Sequence, residues 1–109
     1  MVQITSCLEL AKLQVALRAL RYGHFPADIF DEYAWDMLLH MYIARLRAQP
    51  IYFDNVVNLT SKNTSVGSRW MKHLLSDRLA VADGERVDLT DDAFARLDEY
   101  HRAALGALG

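Results

Sequence analysis

The sequence predicts a mainly helical domain carrying one small β-hairpin. Three observations predict it: apolar residues recur at spacings of three and four through five stretches, the period switches to alternation once, between Leu79 and Leu89, and Asp83-Gly84 sits inside that alternation as a turn signal. At 109 residues, 52% of them hydrophobic, the chain can bury one continuous core and has no room for a second independent domain. Charges of both signs are interspersed at 24%, which argues against a disordered chain.

The first segment opens on Ser6, with Glu9 three residues later, the spacing of a capping box that satisfies two orphaned backbone N–H groups. Leu10, Leu13, Leu17 and Leu20 then mark a helix that Gly23 stops, so the first helix is expected over 1–23. Leu8, Val15, Ala11, Ala16 and Ala19 widen its apolar face beyond what a terminal helix needs, so part of it is expected to pack on a partner. Pro26 marks a connection over 24–30, and Asp31 can cap a helix reaching Ala48, with Trp35, Leu38, Leu39, Tyr42 and Leu46 as its core face. Pro50 ends that helix.

Ile51 and Tyr52 read as extended, and Asp54 to Leu59 as a short helix with Val56 and Val57 inward. After a brief turn at Ser61, a helix is expected over 63–77, with Gly67, Trp70, Met71 and Leu74 on its buried side. In the hairpin, a three-residue loop would set Val81 opposite Val87 and Leu79 opposite Leu89 on one face, and burial favours that register. Thr90 caps a last helix over 91–109, where Asp91 and Asp92 suit the positive end of the dipole and Phe94, Leu97, His101, Leu105 and Leu108 form a stripe.

The formal net charge is −2, yet the charge is unevenly placed. Between Tyr52 and Ser76 the cations Lys62, Arg69 and Lys72 face only Asp54, whereas Asp77 to Asp88 is net negative. The single cysteine, Cys7, cannot form an internal disulfide, and the chain shows neither a secretory signal pattern nor an apolar run of membrane-spanning length. A cytoplasmic location and no membrane contact are therefore expected. His24, His40, His73 and His101 share no ligand spacing, and no glycine-rich phosphate loop or nucleophile motif is present. Neither a metal, a cofactor nor an enzyme activity is expected.

Short helix, turn, helix and then hairpin is the order of a helix-turn-helix followed by a wing, over a core of 31–90. The stretches FDEYAWDMLLHMYIA, SRWMKHL with Arg69 and Trp70, and RVDLTDDAFARL resemble the MarR-like winged helix-turn-helix regulators, particularly short bacterial members. The resemblance spans nearly all of residues 25–100. It implies that Val56 and Val57 lie buried in the first motif helix, that Gly67, Trp70, Met71 and Leu74 lie buried in the second, and that Asn63, Thr64, Ser65, Ser68, Arg69 and Lys72 face the DNA groove. Where the family often has a turn glycine this chain has Ser61, so either a strained left-handed residue or another turn geometry is expected. The hairpin is also shorter and more acidic than the family's wing, with only Arg86 projecting near a tip flanked by Asp83 and Glu85.

The expected function is a DNA-binding transcriptional regulator, a homodimer joined through its terminal helices with a recognition helix in each major groove of double-stranded DNA. Its DNA-binding set is Lys62, Asn63, Thr64, Ser65, Ser68, Arg69, Lys72 and Arg86, with Arg69 suited to a bidentate guanine contact and Lys72 to phosphate. The alternative is a winged-helix module that joins proteins and does not bind DNA, which the net negative charge and acidic hairpin favour. A small-molecule effector, of an identity the sequence does not give, is a third reading.

Overall fold

The computed structural model describes residues 7–25 and 32–108; Ser6, the connection over 26–31 and the Asp31 cap lie outside the described residues. The elements run α1 (Cys7–His24), α2 (Glu32–Leu46), β1 (Ile51–Tyr52), α3 (Phe53–Thr60), α4 (Thr64–Ser76), β2 (Ala80–Asp83), β3 (Arg86–Leu89) and α5 (Asp91–Leu108). The chain is mainly helical with one small antiparallel sheet, ordered β1-β3-β2. It divides into two compact units, Asp28–Phe94 and a second made of Met1–Ala27 with Ala95–Gly109.

Within Asp28–Phe94, α2 packs against α3, α4 and β3, and α4 packs against α3 and β2. The α2 face that is buried is Ala34, Met37, Leu38, Met41 and Tyr42, one residue round the helix from the expected stripe. Trp35 and Leu39 are only half-buried and Leu46 is exposed. Met37 and Met41, unbranched and adaptable, pack beside Leu38 and Tyr42 on this face. Arg45 then ties α2 to the start of α5: its guanidinium lies 4.2 Å from the Phe94 ring centre, donates to Asp91 Oδ1 at 2.9 Å and reaches the Leu89 carbonyl at 3.4 Å.

α2 and α4 end in the same way. Gln49 N donates to the Ala44 carbonyl and Ala48 N to that of Arg45, while Leu79 N donates to the Leu74 carbonyl and Arg78 N to that of Leu75. Each is a Schellman closure, and each sets a non-glycine residue in the left-handed region, Ala48 at φ 52° and Arg78 at φ 61°. The second closure explains the hairpin. Leu79 is 5% exposed because it seals the end of α4, so the strand begins only at Ala80.

The hairpin register is accordingly Ala80 with Leu89, Val81 with Asp88, Ala82 with Val87 and Asp83 with Arg86, around a two-residue Gly84-Glu85 turn. This corrects the expected three-residue loop. Gly84 takes φ +61°, the positive value that the first position of a type II′ turn demands. Val81, expected inside opposite Val87, points outward at 52% exposure. The two residues of β1 complete the sheet, pairing Ile51 with Val87 and Tyr52 with Arg86, and Phe53 N donates to the Glu85 carbonyl at 2.8 Å, anchoring the start of α3 on the hairpin turn.

In the second unit, Leu13, Leu17, Leu20 and His24 of α1 are half-buried. Tyr100 of α5 meets the His24 ring edge-on at 6.2 Å and the His101 ring at 5.0 Å. Burial raises the Tyr100 phenol above its ordinary range, and nearby Arg21 partly offsets this. Among the described residues of α5 from Ala95 on, Leu97 and Tyr100 are buried, whereas Leu105, expected in the stripe, is exposed. The side chains of Glu9, Leu10, Ala11 and Leu108 lie outside those described.

Candidate functional site

The site is built on α4, and its position begins with the turn before it. Ser61 adopts an extended conformation at φ −139°, so no left-handed residue is needed where the resemblance led one to expect a glycine or strain. Its hydroxyl does the bracing, donating to the Asn63 carbonyl at 2.8 Å and accepting from Asn63 N at 3.1 Å. This bracket was missed in the sequence, though a serine two residues ahead of a helix cap is a recognised local turn pattern. Asn63 then caps α4 through Oδ1, which accepts from Ser65 N at 3.0 Å and Val66 N at 3.2 Å.

The inner side of α4 decides which residues face out. Gly67, Met71 and Leu74 are buried, and Gly67 allows α3 to come close: a Cβ built there would stand 2.8 Å from Val57 Cγ1 and 3.2 Å from Ser61 Cβ. Val56 and Val57 are buried as expected from the spacing. Trp70, expected in the core, is half-buried instead, with its ring edge-on to His73 at 5.5 Å. At 100° per residue Trp70 stands about 60° to one side of the Gly67, Met71 and Leu74 stripe, which puts it on the flank of α4.

On the outer side Thr64, Ser65, Ser68, Arg69 and Lys72 together line one shallow, open depression of about 420 Å³. Spacings of three and four put these five on a single face, as their sequence pattern implies. Among the described residues Arg69 and Lys72 form no ion pair, whereas Arg45 and Arg102 are tied to Asp91 and Asp98. Thr64, Ser65 and Ser68 likewise spend their hydroxyls on no partner in the described residues. The face therefore offers three free hydroxyls and two free cations with no carboxylate on the helix before Asp77, which pairs with His73 at 3.2 Å.

The remaining expected residues lie elsewhere or do other work. Asn63 Oδ1 and two amides of the first turn are already engaged with one another, so that oxygen serves the fold and those amides are not offered to a phosphate. Lys62 is exposed in the turn between α3 and α4 and does not line the depression. Arg86 lies on the central strand, at the border of two other surface hollows, one with Ala44 to Ile51 and one with Val81 to Asp83. It is exposed and joins neither Lys62 nor the α4 depression.

Among the described residues no three His, Cys, Asp or Glu side chains come together as a metal site, and no helix is long and apolar enough to cross a membrane. No protein-family model, curated protein or solved structure matches the chain.

Proposed function

We propose that the chain is a DNA-binding transcriptional regulator of the winged helix-turn-helix kind, working as a homodimer with α4 as the recognition helix in the major groove. One observation carries the reading. The five residues Thr64, Ser65, Ser68, Arg69 and Lys72 gather on the exposed face of a helix whose opposite face is locked into the core, and among the described residues both cations there are unpaired. A rigid helix with free cations and hydroxyls is what groove reading requires. Arg69, with its planar fork, takes a guanine edge, while Lys72 on the helix and Lys62 in the turn before it meet phosphates.

α3 and its turn supply the brace, because Gly67 and the Ser61 bracket hold α4 at close range. The hairpin contributes little to DNA affinity. Asp83, Glu85 and Asp88 are all exposed around Arg86, and that cluster of carboxylates opposes approach to a phosphate backbone. This same acidic surface, with Val81 exposed on it, favours the second reading, a module that joins proteins.

Titration of labelled genomic duplex fragments, followed by fluorescence anisotropy, separates the two. Two phosphate-directed lysines per protomer, four in the homodimer, give a log–log salt slope of about −3.6, hence an affinity loss of roughly a hundredfold between 50 and 200 mM salt. Absence of salt-sensitive binding at micromolar protein would sink the regulator reading.

A further inference from the structure

The outer face of α1 has a pattern that the packing of the described residues does not explain. None of the described side chains of α1 is buried, although the helix is 18 residues long. Leu8 and Val15 are 65% and 72% exposed, and Lys12, Ala16, Ala19 and Gly23 are exposed beside them. All six fall within one seam at spacings of three and four, turned away from the half-buried Leu13, Leu17, Leu20 and His24. Among the described residues a Cβ at Gly23 would meet nothing within 4 Å, so they leave this end of the seam open. Helices this exposed draw most of their stability from packing.

The seam is complementary to itself. Reversed about the point between Val15 and Ala16, Leu8 falls opposite Gly23, Lys12 opposite Ala19 and Val15 opposite Ala16. Every long side chain then meets a short one, the arrangement that lets two helices interdigitate. The Lys12 stem can lie over the Ala19 methyl of the other helix and leave its ammonium in water. A face that fits its own reverse is the signature of an isologous twofold contact.

We infer that α1 pairs antiparallel with α1 of a second copy of this chain, across a twofold axis between Val15 and Ala16. The inference rests on the homodimer in the function proposed above, and it names the Leu8–Gly23 seam of α1 as the contact. Two 18-residue helices are about 27 Å long and bury on the order of 400–500 Å² each when laid side by side. This is below the roughly 800 Å² per partner of a standard interface and in the size class of weak, reversible contacts.

Cysteine cross-linking of the full chain without DNA, on a Cys7→Ser background, tests the register. Ala16→Cys lies beside its own copy at the axis and forms a covalent dimer on mild oxidation. Leu8→Cys alone does not, because the two copies of position 8 stand roughly 22 Å apart along the helix axis, far beyond disulfide reach. The double variant Leu8→Cys with Gly23→Cys restores cross-linking. Sedimentation of the unmodified chain gives a dimer at 100 μM or below as about the expected range. Monomer throughout that range, or cross-linking by Leu8→Cys but not by Ala16→Cys, overturns the pairing. Far-ultraviolet circular dichroism confirms that each variant keeps its helix content, and the double variant decides the register if Ala16→Cys does not fold. A monomer that still binds duplex DNA overturns this pairing alone; a cross-linked dimer that binds none overturns the DNA reading alone.

Discussion

Gly67→Ala is the substitution whose outcome is most tightly set by the geometry. The new methyl would stand 2.8 Å from Val57 Cγ1 and 3.2 Å from Ser61 Cβ, both inside ordinary carbon contact distance. Val57 is 3% exposed and β-branched on a helix, so its side chain has one favoured rotamer and cannot swing aside. Ser61 is held through the hydrogen bonds its hydroxyl makes to Asn63 N and O, so it cannot yield without loosening the turn. Overpacking of this kind costs about 1–3 kcal/mol, and the gain of replacing glycine in a helix interior returns about 1 kcal/mol. The net expectation is a loss of about 1 kcal/mol, a fall in Tm of roughly 4–8 °C for a domain of this size.

Val57→Ala removes the clashing methyls, and by itself costs about 2–3 kcal/mol for the cavity it leaves. Combined with Gly67→Ala, the new methyl occupies part of that cavity. The pair is therefore non-additive, the double variant being more stable than the sum of the singles by about 1 kcal/mol or more. Urea denaturation of the four proteins measures the cycle. If Gly67→Ala proves as stable as the parent, or more so, helix propensity has won and the close approach of α3 to α4 is wrong.

Further substitutions test the rest of the scaffold. Ala48→Gly and Arg78→Gly relieve left-handed residues at the two helix ends, and each should raise stability by about 0.5–1 kcal/mol in the same denaturation assay. Asn63→Ala strips the cap from Ser65 N and Val66 N and should lower stability by about 1 kcal/mol, weakening DNA binding only as far as α4 frays. Burial raises the Tyr100 phenol, so the folded chain holds this proton after the unfolded chain has released it. The associated stability is complete below the ordinary tyrosine value of about 10 and is lost as pH rises above it; thermal melts at pH 9 and 10.5 should show a fall that Tyr100→Phe reduces.

Much of the candidate site was legible because α4 carries two independent signals that agree. The Asn63 cap marks its start, and Gly67, Met71 and Leu74 at spacings of four and three mark its inner side, leaving Ser65, Ser68, Arg69 and Lys72 no place but outside. Trp70 was misplaced because it lies about 60° round the helix from the centre of the Gly67, Met71 and Leu74 stripe, close enough to share its period yet far enough to fall on the flank. The α2 face slipped by one residue for a related reason. Both Trp35-Leu38-Leu39-Tyr42 and Ala34-Met37-Leu38-Met41-Tyr42 fit a helical period, and only the three neighbours packed against α2 choose between them.

The hairpin register was lost at Leu79, whose alternation with Val81 reads as strand although its backbone closes α4. A two-residue strand such as Ile51–Tyr52 has too little pattern to announce its partner, so its pairing with β3 had no trace in the sequence. Ala48 and Arg78 hide their left-handed backbone for the opposite reason, being residue types that rarely adopt it.

The most direct measurement of the central claim is anisotropy of labelled duplex fragments titrated with the parent chain, Arg69→Ala and Lys72→Ala at two salt concentrations, with melts of each protein alongside. Arg69→Ala should weaken binding to the best fragment by about 1–3 kcal/mol and flatten the preference among fragments. Lys72→Ala should weaken all fragments alike and reduce the salt slope by about 2 for a homodimer, one unit per protomer. Both proteins should melt with the parent, since neither side chain has a partner to lose among the described residues. Binding that is unchanged in both variants, or absent from the parent at either salt, would contradict the assignment of α4 as a recognition helix.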